Sequence, residues 1–481
     1  MTLYDRFGLF IGGSWQPAAG GAQVAVIDPA TEDRLGHIAK AGPEDLDRTL
    51  ATLAGAAPAW RAVPGWTRSG LLRAMARGMA ERADRAARDM SEETGKPLAE
   101  ARGEWQAAVD QFDWYADEAR RIWGHSLNGR EEGVLLDVRY EPVGPVAAFT
   151  AWNFPALLPA RKVAAALAAG CPIVIKPSEE APSPMFHIAE CAAEAGLPAG
   201  VLNVVTGDPA EISAHLIASP VIRKVSLTGS VPVGRLLAGL AGQGLKKVSM
   251  ELGGHAPVLV FPDVDPEATG ALCAKTKFRN AGQVCISPSR FYVHEDIYEP
   301  FAAAMARTAR EARIGRGLDD GVDFGPMANA RGRDRVLDLI EDARGRGAEV
   351  LAGGGVPQAH NRGFYVEPTV LGRVPDDACI MTEEPFGPVA PISTFREFDE
   401  VIARANGTPF GLASYVFSGS LATANRAAAA LETGMVGVND MLLAAAEIPF
   451  GGVKDSGMGR EGGQLGILEY LEPKYVKYRY G

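Results

Sequence analysis

The chain has 481 residues, 47% of them hydrophobic and 22% charged, with a net charge of −11. This is ordinary globular composition at a length that usually divides into two or three domains. The acidic balance, without any run of Lys or Arg, excludes nucleic acid as the expected partner, because binders of phosphate backbones concentrate positive charge.

The opening Met1-Thr2-Leu3-Tyr4-Asp5-Arg6 places an acid before any apolar stretch and reads as no secretory leader. No apolar segment reaches spanning length before Gly, Pro or charge interrupts it, so no membrane is expected. Helical spacing over 71–93 and 98–122 predicts two long helices, broken apart by Gly95-Lys96-Pro97. After Tyr140 the rhythm changes to short apolar strands, predicted over 146–150, 172–176, 201–205 and 224–228. Ala-rich helices alternate with them over 157–169, 183–195 and 210–218. Such alternation implies right-handed βαβ units, a mostly parallel sheet, and a nucleotide beyond the carboxyl ends of its strands. A second α/β region begins near Glu251, with strands over 256–261, 290–294, 411–417 and 435–439. The Tyr-rich alternating end, 470–480, predicts a terminal strand in need of a partner edge, which another subunit could supply.

Cys171, Cys191, Cys273, Cys285 and Cys379 are an odd set without a CxxC pair. They read as reduced thiols of a cytoplasmic protein, with neither a disulfide framework nor a zinc site. The seven histidines show no metal-ligand spacing either. Cys285 closes the run Gly282-Gln283-Val284-Cys285, downstream of Glu251-Leu252-Gly253-Gly254. A thiolate is a strong nucleophile and a carboxylate can activate water, so the two together suggest covalent chemistry on a carbonyl. A free cysteine is also, quite often, just a small buried apolar residue.

Other motifs have two readings each. Asn153, in Trp152-Asn153-Phe154-Pro155 after the strand ending at Thr150, can aim an amide at an oxyanion or simply make a turn. In Lys176-Pro177-Ser178-Glu179, Lys176 can reach ribose or phosphate. Glu179 can hold an adenosine ribose, repelling a 2′-phosphate and so favouring NAD over NADP. Both are otherwise solvated loop charges. Gly229-Ser230 opens a helix whose N-terminus suits a pyrophosphate, although Ser230 is also a good N-cap. Gly457-Met458-Gly459-Arg460-Glu461-Gly462 has the GxGxxG form but follows no apolar strand, and is not read as a dinucleotide fingerprint. His255 could in principle pair with Cys285 in a thiol hydrolase.

Taken together, and with Glu384-Pro385-Phe386-Gly387-Pro388, Pro449-Phe450-Gly451-Gly452 and Ser456-Gly457-Met458-Gly459-Arg460-Glu461, these motifs resemble the aldehyde dehydrogenase superfamily over essentially the whole chain. The resemblance implies an α/β fold in three parts. These are a Rossmann-like cofactor domain (1–122 and 141–250), a catalytic domain (251–440) and an oligomerising β-extension (123–140 and 466–481) that assembles a homodimer or homotetramer. It implies that Cys285 attacks an aldehyde, that Asn153 and the Cys285 N–H hold the oxyanion, and that hydride passes to NAD. Glu251 then activates the water that hydrolyses the thioester. Thr150, Trp152, Lys176, Glu179, Gly229, Ser230, Leu252, Glu384 and Phe386 are implied around the cofactor, with Trp152 and Lys162 lining the site. A water-activating Glu251 argues against a CoA-acylating relative.

Within the superfamily the chain is most similar to succinate-semialdehyde dehydrogenases, in which arginines matching Arg161 and Arg279 clamp the far carboxylate. Charged hydrogen bonds contribute about 1.5–3 kcal/mol each. Two departures stand out. Ala444 occupies the place of a usual carboxylate-binding Ser, which makes the pocket mouth more apolar and opens the way to a longer ω-semialdehyde or a neutral aldehyde. Ser287 replaces a second cysteine found in some relatives, so no disulfide switch is expected in this loop.

Overall fold

The computed structural model describes residues 3–480. Its first sheet has eight strands. Five run parallel at its centre, in the spatial order Lys247–Glu251, Lys224–Thr228, Val146–Phe149, Ile173–Lys176, Leu202–Val204. Leu9–Ile11 and Ser14–Gln16 close one edge, and Gly457–Met458 the other, all antiparallel. Chain order reverses at Val146–Phe149: the next two strands lie on one side of it, the following two on the other. Open α/β sheets form their ligand crevice at such a switch, beyond the carboxyl ends of the two diverging strands.

The second sheet has seven strands. Thr369–Gly372, Val389–Phe395, Pro288–His294, Ala256–Val260, Ala413–Phe417 and Met435–Val438 are parallel neighbours, and Glu349–Ala352 is an antiparallel edge. Fully buried strands such as Ala-Pro-Val-Leu-Val at Ala256–Val260 read as continuous apolar runs because helices cover both faces.

Most expected elements lie within a residue or two of where the pattern put them; the helix Leu157–Ala169 and the strand Lys224–Thr228 match to the residue. Three readings need correction. The helix expected over 71–93 is two, Gly65–Glu81 and Ala83–Thr94, parted at Arg82, which leaves helical geometry. The helix Leu98–Glu118 stops short of Ile122. The terminal strand Leu471–Arg479 finds its partner within the chain. It pairs along its full length with Val134–Pro142, which also carries His125–Asn128. Its outer edge stays open, so this three-stranded sheet still presents the edge that the sequence suggested.

Candidate active site

Glu251 ends its strand at the carboxyl edge of the first sheet. Gly457, at φ 122°, runs antiparallel beside it, and a Cβ there would collide with the Met250 carbonyl. The Gly457–Gly462 run thus braces the strand that carries Glu251 and lies outside the lining of the crevice.

The loop bearing Cys285 leaves the helix Pro266–Phe278 through three successive left-handed residues: Asn280 (φ 50°), Ala281 (φ 52°) and Gly282 (φ 70°). Only glycine adopts such a conformation without penalty, so the surroundings must hold the other two. Glu100 accepts the Asn280 N–H at 2.8 Å, and Ala328 donates its N–H to Gln283 Oε1 at 2.9 Å. At Gly282 a Cβ would strike the Gly387 carbonyl, so that position is closed to any other residue.

Asn153 lies against this loop and is buried. Its Nδ2 donates to the Gln283 carbonyl at 3.1 Å, and its own carbonyl accepts from Asn280 Nδ2 at 2.9 Å and Lys96 Nζ at 2.8 Å. One amide N–H is spent on this contact, and a carboxamide has two. Lys96 is also paired with Glu104, whose second oxygen accepts the Ala156 and Leu157 N–H groups at 2.8 and 3.3 Å. A carboxylate at that helix start suits its positive dipole end.

The sequence reading missed Lys96, Glu104, Asn280 and Gln283. Lys96 looked like part of a helix break, Glu104 like one more helix charge, and no local pattern links them to Asn153.

Cys285 is half-buried and stands where two cavities meet. The first, about 440 Å³, opens at the switch point of the first sheet. Trp152, Thr228, Gly229, Ser230, Leu252, Gly253, Glu384 and Phe386 line it. Ser230 stands at the N-cap of the helix Val231–Gln243, yet its side chain makes no capping bond, which leaves the helix N–H groups to other acceptors. The buried Thr150 and Thr228 hydroxyls have no partner among the described residues. Glu384 Oε1 accepts the Gly254 N–H at 3.0 Å, and a Cβ on Gly253 would run into that carboxylate. Phe386 meets Trp152 edge-on, ring centres 5.6 Å apart. Free N–H groups, close-approach glycines and a hydroxyl without a partner fit a dinucleotide at its nicotinamide and phosphate end. Lys176 and Glu179 pair with each other and fall outside this lining.

The second cavity, about 890 Å³, also reaches the thiol. Arg161, Arg279, Phe154, Phe450, Trp114 and Ala444 are among its walls. The helix Leu157–Ala169 is buried nearly all round, so its two cations need partners. Lys162 finds Glu461 and Ser226 Oγ (3.1 Å) and lines neither cavity, contrary to the expectation that it borders the site. Arg161, only 3% exposed, has no acid within ion-pairing distance among the described residues. Its guanidinium lies over the Phe450 ring at 4.0 Å, and its Nε has no partner. Arg279 is exposed, 5.6 Å above the Phe154 ring, and likewise has no salt bridge. At the rim, Arg73 pairs with Asp113 (3.5 Å) and Asp117.

Burial governs the electrostatics. Removal from water lifts the Glu251 carboxyl to about 7, helped by the neighbouring Glu461 and opposed by the nearby Cys285 thiol and the charge of Arg161. Burial, then the charge of Glu251, pushes the Cys285 thiol well above its ordinary value. Burial also raises Glu384 to about 8 and lowers Lys277 to about 7. Lys277 Nζ donates to Ser287 Oγ at 3.2 Å, which pins the loop just beyond the nucleophile. All five cysteines are free. His255 is bound to Ser289 (2.9 Å), lines neither cavity and forms no pair with Cys285. Among the described residues no His, Cys, Asp and Glu cluster could hold a metal, and no helix is long and apolar enough to cross a membrane.

Residues 15–476 match the model of the aldehyde dehydrogenase family. A glutarate-semialdehyde dehydrogenase of Pseudomonas putida is 42% identical, across 97% of this chain and 96% of its own. A succinate-semialdehyde dehydrogenase of Escherichia coli, named for NADP(+), shows the same identity and coverage. The crystal structure of succinate-semialdehyde dehydrogenase from Burkholderia pseudomallei superposes with a TM-score of 0.97 at 41% identity, covering 98% of each chain.

Proposed function

Because the chain belongs to the aldehyde dehydrogenase family, we propose that it oxidises a semialdehyde with a far carboxylate, succinate semialdehyde first, and uses NAD in preference to NADP. The observation that carries the substrate is the pair of arginines without acid partners, one of them buried, in the cavity that faces Cys285. An uncompensated buried charge is costly, and a substrate carboxylate neutralises it. Glutarate semialdehyde is the alternative that Ala444 favours, since the wall lacks a hydroxyl there and leaves room. For the cofactor, Glu179 is the supporting residue, as a carboxylate disfavours a 2′-phosphate.

The chemistry follows from the pairing of thiol and carboxylate. As the sulfur adds to the aldehyde carbon the thiol gives up its proton to solvent, and Glu251, near enough for its charge to act on the thiol, is kept as the base for the later step. The N–H of Asn153 that is not bound to Gln283 donates to the new oxyanion, with the backbone N–H of Cys285 beside it. Gly229, Ser230, the start of the helix Val231–Gln243, Glu384 and Phe386 would hold the dinucleotide. Hydride acceptance is the chemistry that its nicotinamide supplies when bound. On the acylated Cys285, Glu251 removes a proton from water, and hydrolysis releases the acid. Assembly into a cytoplasmic homodimer or homotetramer would use the open edge of Leu471–Arg479.

Arg279→Ala should raise KM for succinate semialdehyde by about tenfold or more, the equivalent of one charged hydrogen bond, and leave a neutral aldehyde of equal length nearly unaffected. Equal changes for both aldehydes would remove the carboxylate clamp.

A further inference from the structure

We propose that Glu100 is a positioning residue for the reaction, one that sets the oxyanion-binding amide and the anion-binding arginine together by fixing the peptide unit between Arg279 and Asn280. This rests on the reading in which Asn153 holds the oxyanion and Arg279 the far carboxylate. Glu100 belongs to the helix Leu98–Glu118 and lines the same cavity as Arg161 and Arg279. Its Oε2 accepts the Asn280 N–H at 2.8 Å. That N–H lies in the rigid plane that joins Asn280 to Arg279, so one acceptor restrains both residues.

What each residue then touches gives the restraint its consequence. Asn280 Nδ2 donates to the Asn153 carbonyl at 2.9 Å and to the Gln283 carbonyl at 3.1 Å. The Gln283 carbonyl also accepts one N–H of the Asn153 amide at 3.1 Å. Two carboxamides therefore share one acceptor, and turning Asn280 shifts the group that aims the second Asn153 N–H. Asn280 and Ala281 stand at φ 50° and 52°, which residues with a Cβ keep only where the surroundings enforce it. On the other side of the plane, the Arg279 guanidinium lies over the Phe154 ring at 5.6 Å, on the cavity wall. Glu104, one helical turn beyond Glu100, is paired with the Lys96 cation, whereas Glu100 takes a backbone donor. Reach, not charge, is what the Glu100 position requires.

Two variants of the full-length enzyme separate reach from charge. Glu100→Asp keeps the carboxylate but draws it back by one methylene; Glu100→Gln keeps the acceptor oxygen and removes the charge. Glu100→Asp should lower kcat by about 10–100-fold for succinate semialdehyde and for butanal alike, the cost of a misplacement of about 1 Å. It should also raise KM for succinate semialdehyde by about threefold or more and leave that for butanal steady. Glu100→Gln should stay within about threefold of the parent for both aldehydes, since the N–H keeps its acceptor. In an Asn153→Ala background the kcat loss from Glu100→Asp should shrink to less than about threefold, because a residue that acts through another adds little once the other is gone. A purely structural role would lower both variants together and persist in that background, and either result overturns the proposal. So does a Glu100→Gln variant poorer than Glu100→Asp. If Asn153→Ala is costly and Glu100→Asp leaves kcat unchanged, the proposal falls alone. If Asn153→Ala itself costs nothing, the oxyanion reading fails and the proposal falls with it.

Discussion

The two cavities that meet at Cys285 are built from different materials. On the cofactor side, besides Met327, Arg331, Arg335 and Glu384-Pro385-Phe386, the lining comes from strand ends: Trp152-Asn153, Thr228-Gly229-Ser230 and Glu251-Leu252-Gly253. Each stretch is contiguous in sequence and set by one strand of the first sheet. On the substrate side the walls come from five distant stretches: Arg73 and the segments around 96–117, 154–161, 279–286 and 442–450. Backbone N–H groups at the switch point of a parallel sheet bind a phosphate whatever the surrounding side chains are. A wall assembled from side chains can change one residue at a time, as Ala444 does by standing where the resemblance leads one to expect a Ser. Under the proposed function, the first side would hold the cofactor shared by the family and the second would select the aldehyde.

The contrast is tested most severely at the residue shared by both sides of the reaction. Glu251→Gln should lower steady-state turnover by about 10²–10⁴-fold and preserve an initial burst of reduced nicotinamide, measured by stopped-flow absorbance. If burst and steady state fell together, the carboxylate would already be needed when the thiol adds, and not for the water alone. Next in size, Asn153→Ala should cost about 10²–10³ in kcat whichever aldehyde is offered, because it acts on the oxyanion common to all of them. A loss confined to charged aldehydes would move Asn153 to the aldehyde-selecting side.

Lys96→Met tests the scaffold beneath Asn153. With Glu104 left buried and unpaired, stability should drop by about 3–5 kcal/mol, read as a lower denaturation midpoint. Adding Glu104→Gln should recover much of it; a double variant no better than the single would show that the charges are independent. The smallest effect is that of pH. Glu251, raised to about 7, is protonated below that value and becomes a base above it, so the hydrolytic rate should climb as pH rises through about 7 and then level off. The same direction of shift at Glu251, Glu384 and the buried Glu93 (about 8) carries a stability consequence. A carboxyl that holds its proton more tightly when folded contributes stability at low pH and loses it as pH rises through its folded value. Midpoints should therefore decline between about pH 5 and 8, and Glu93→Gln should flatten the slope.

Much of this was legible in the residues themselves. Alternating strands and Ala-rich helices specified a parallel α/β core, because fully buried strands and the helices that cover them carry unmistakable local patterns. The residues proposed to carry the chemistry sit in short motifs, Glu251 and Asn153 at or just beyond strand ends and Cys285 and Glu384 in loops after helices, so all four could be named before their geometry was known. Lys162 was misplaced because periodicity puts it one step from Arg161 without saying which way either side chain points. Folding turned one toward Glu461 and the other toward the cavity. The Lys96–Glu104–Asn153 scaffold, the cross-bracing of Asn280 and Gln283, and the alanine-walled width of the substrate cavity exist only in three dimensions. They depend on contacts between segments tens to hundreds of residues apart, which no local spacing encodes, and on the absence of atoms, which a sequence does not display.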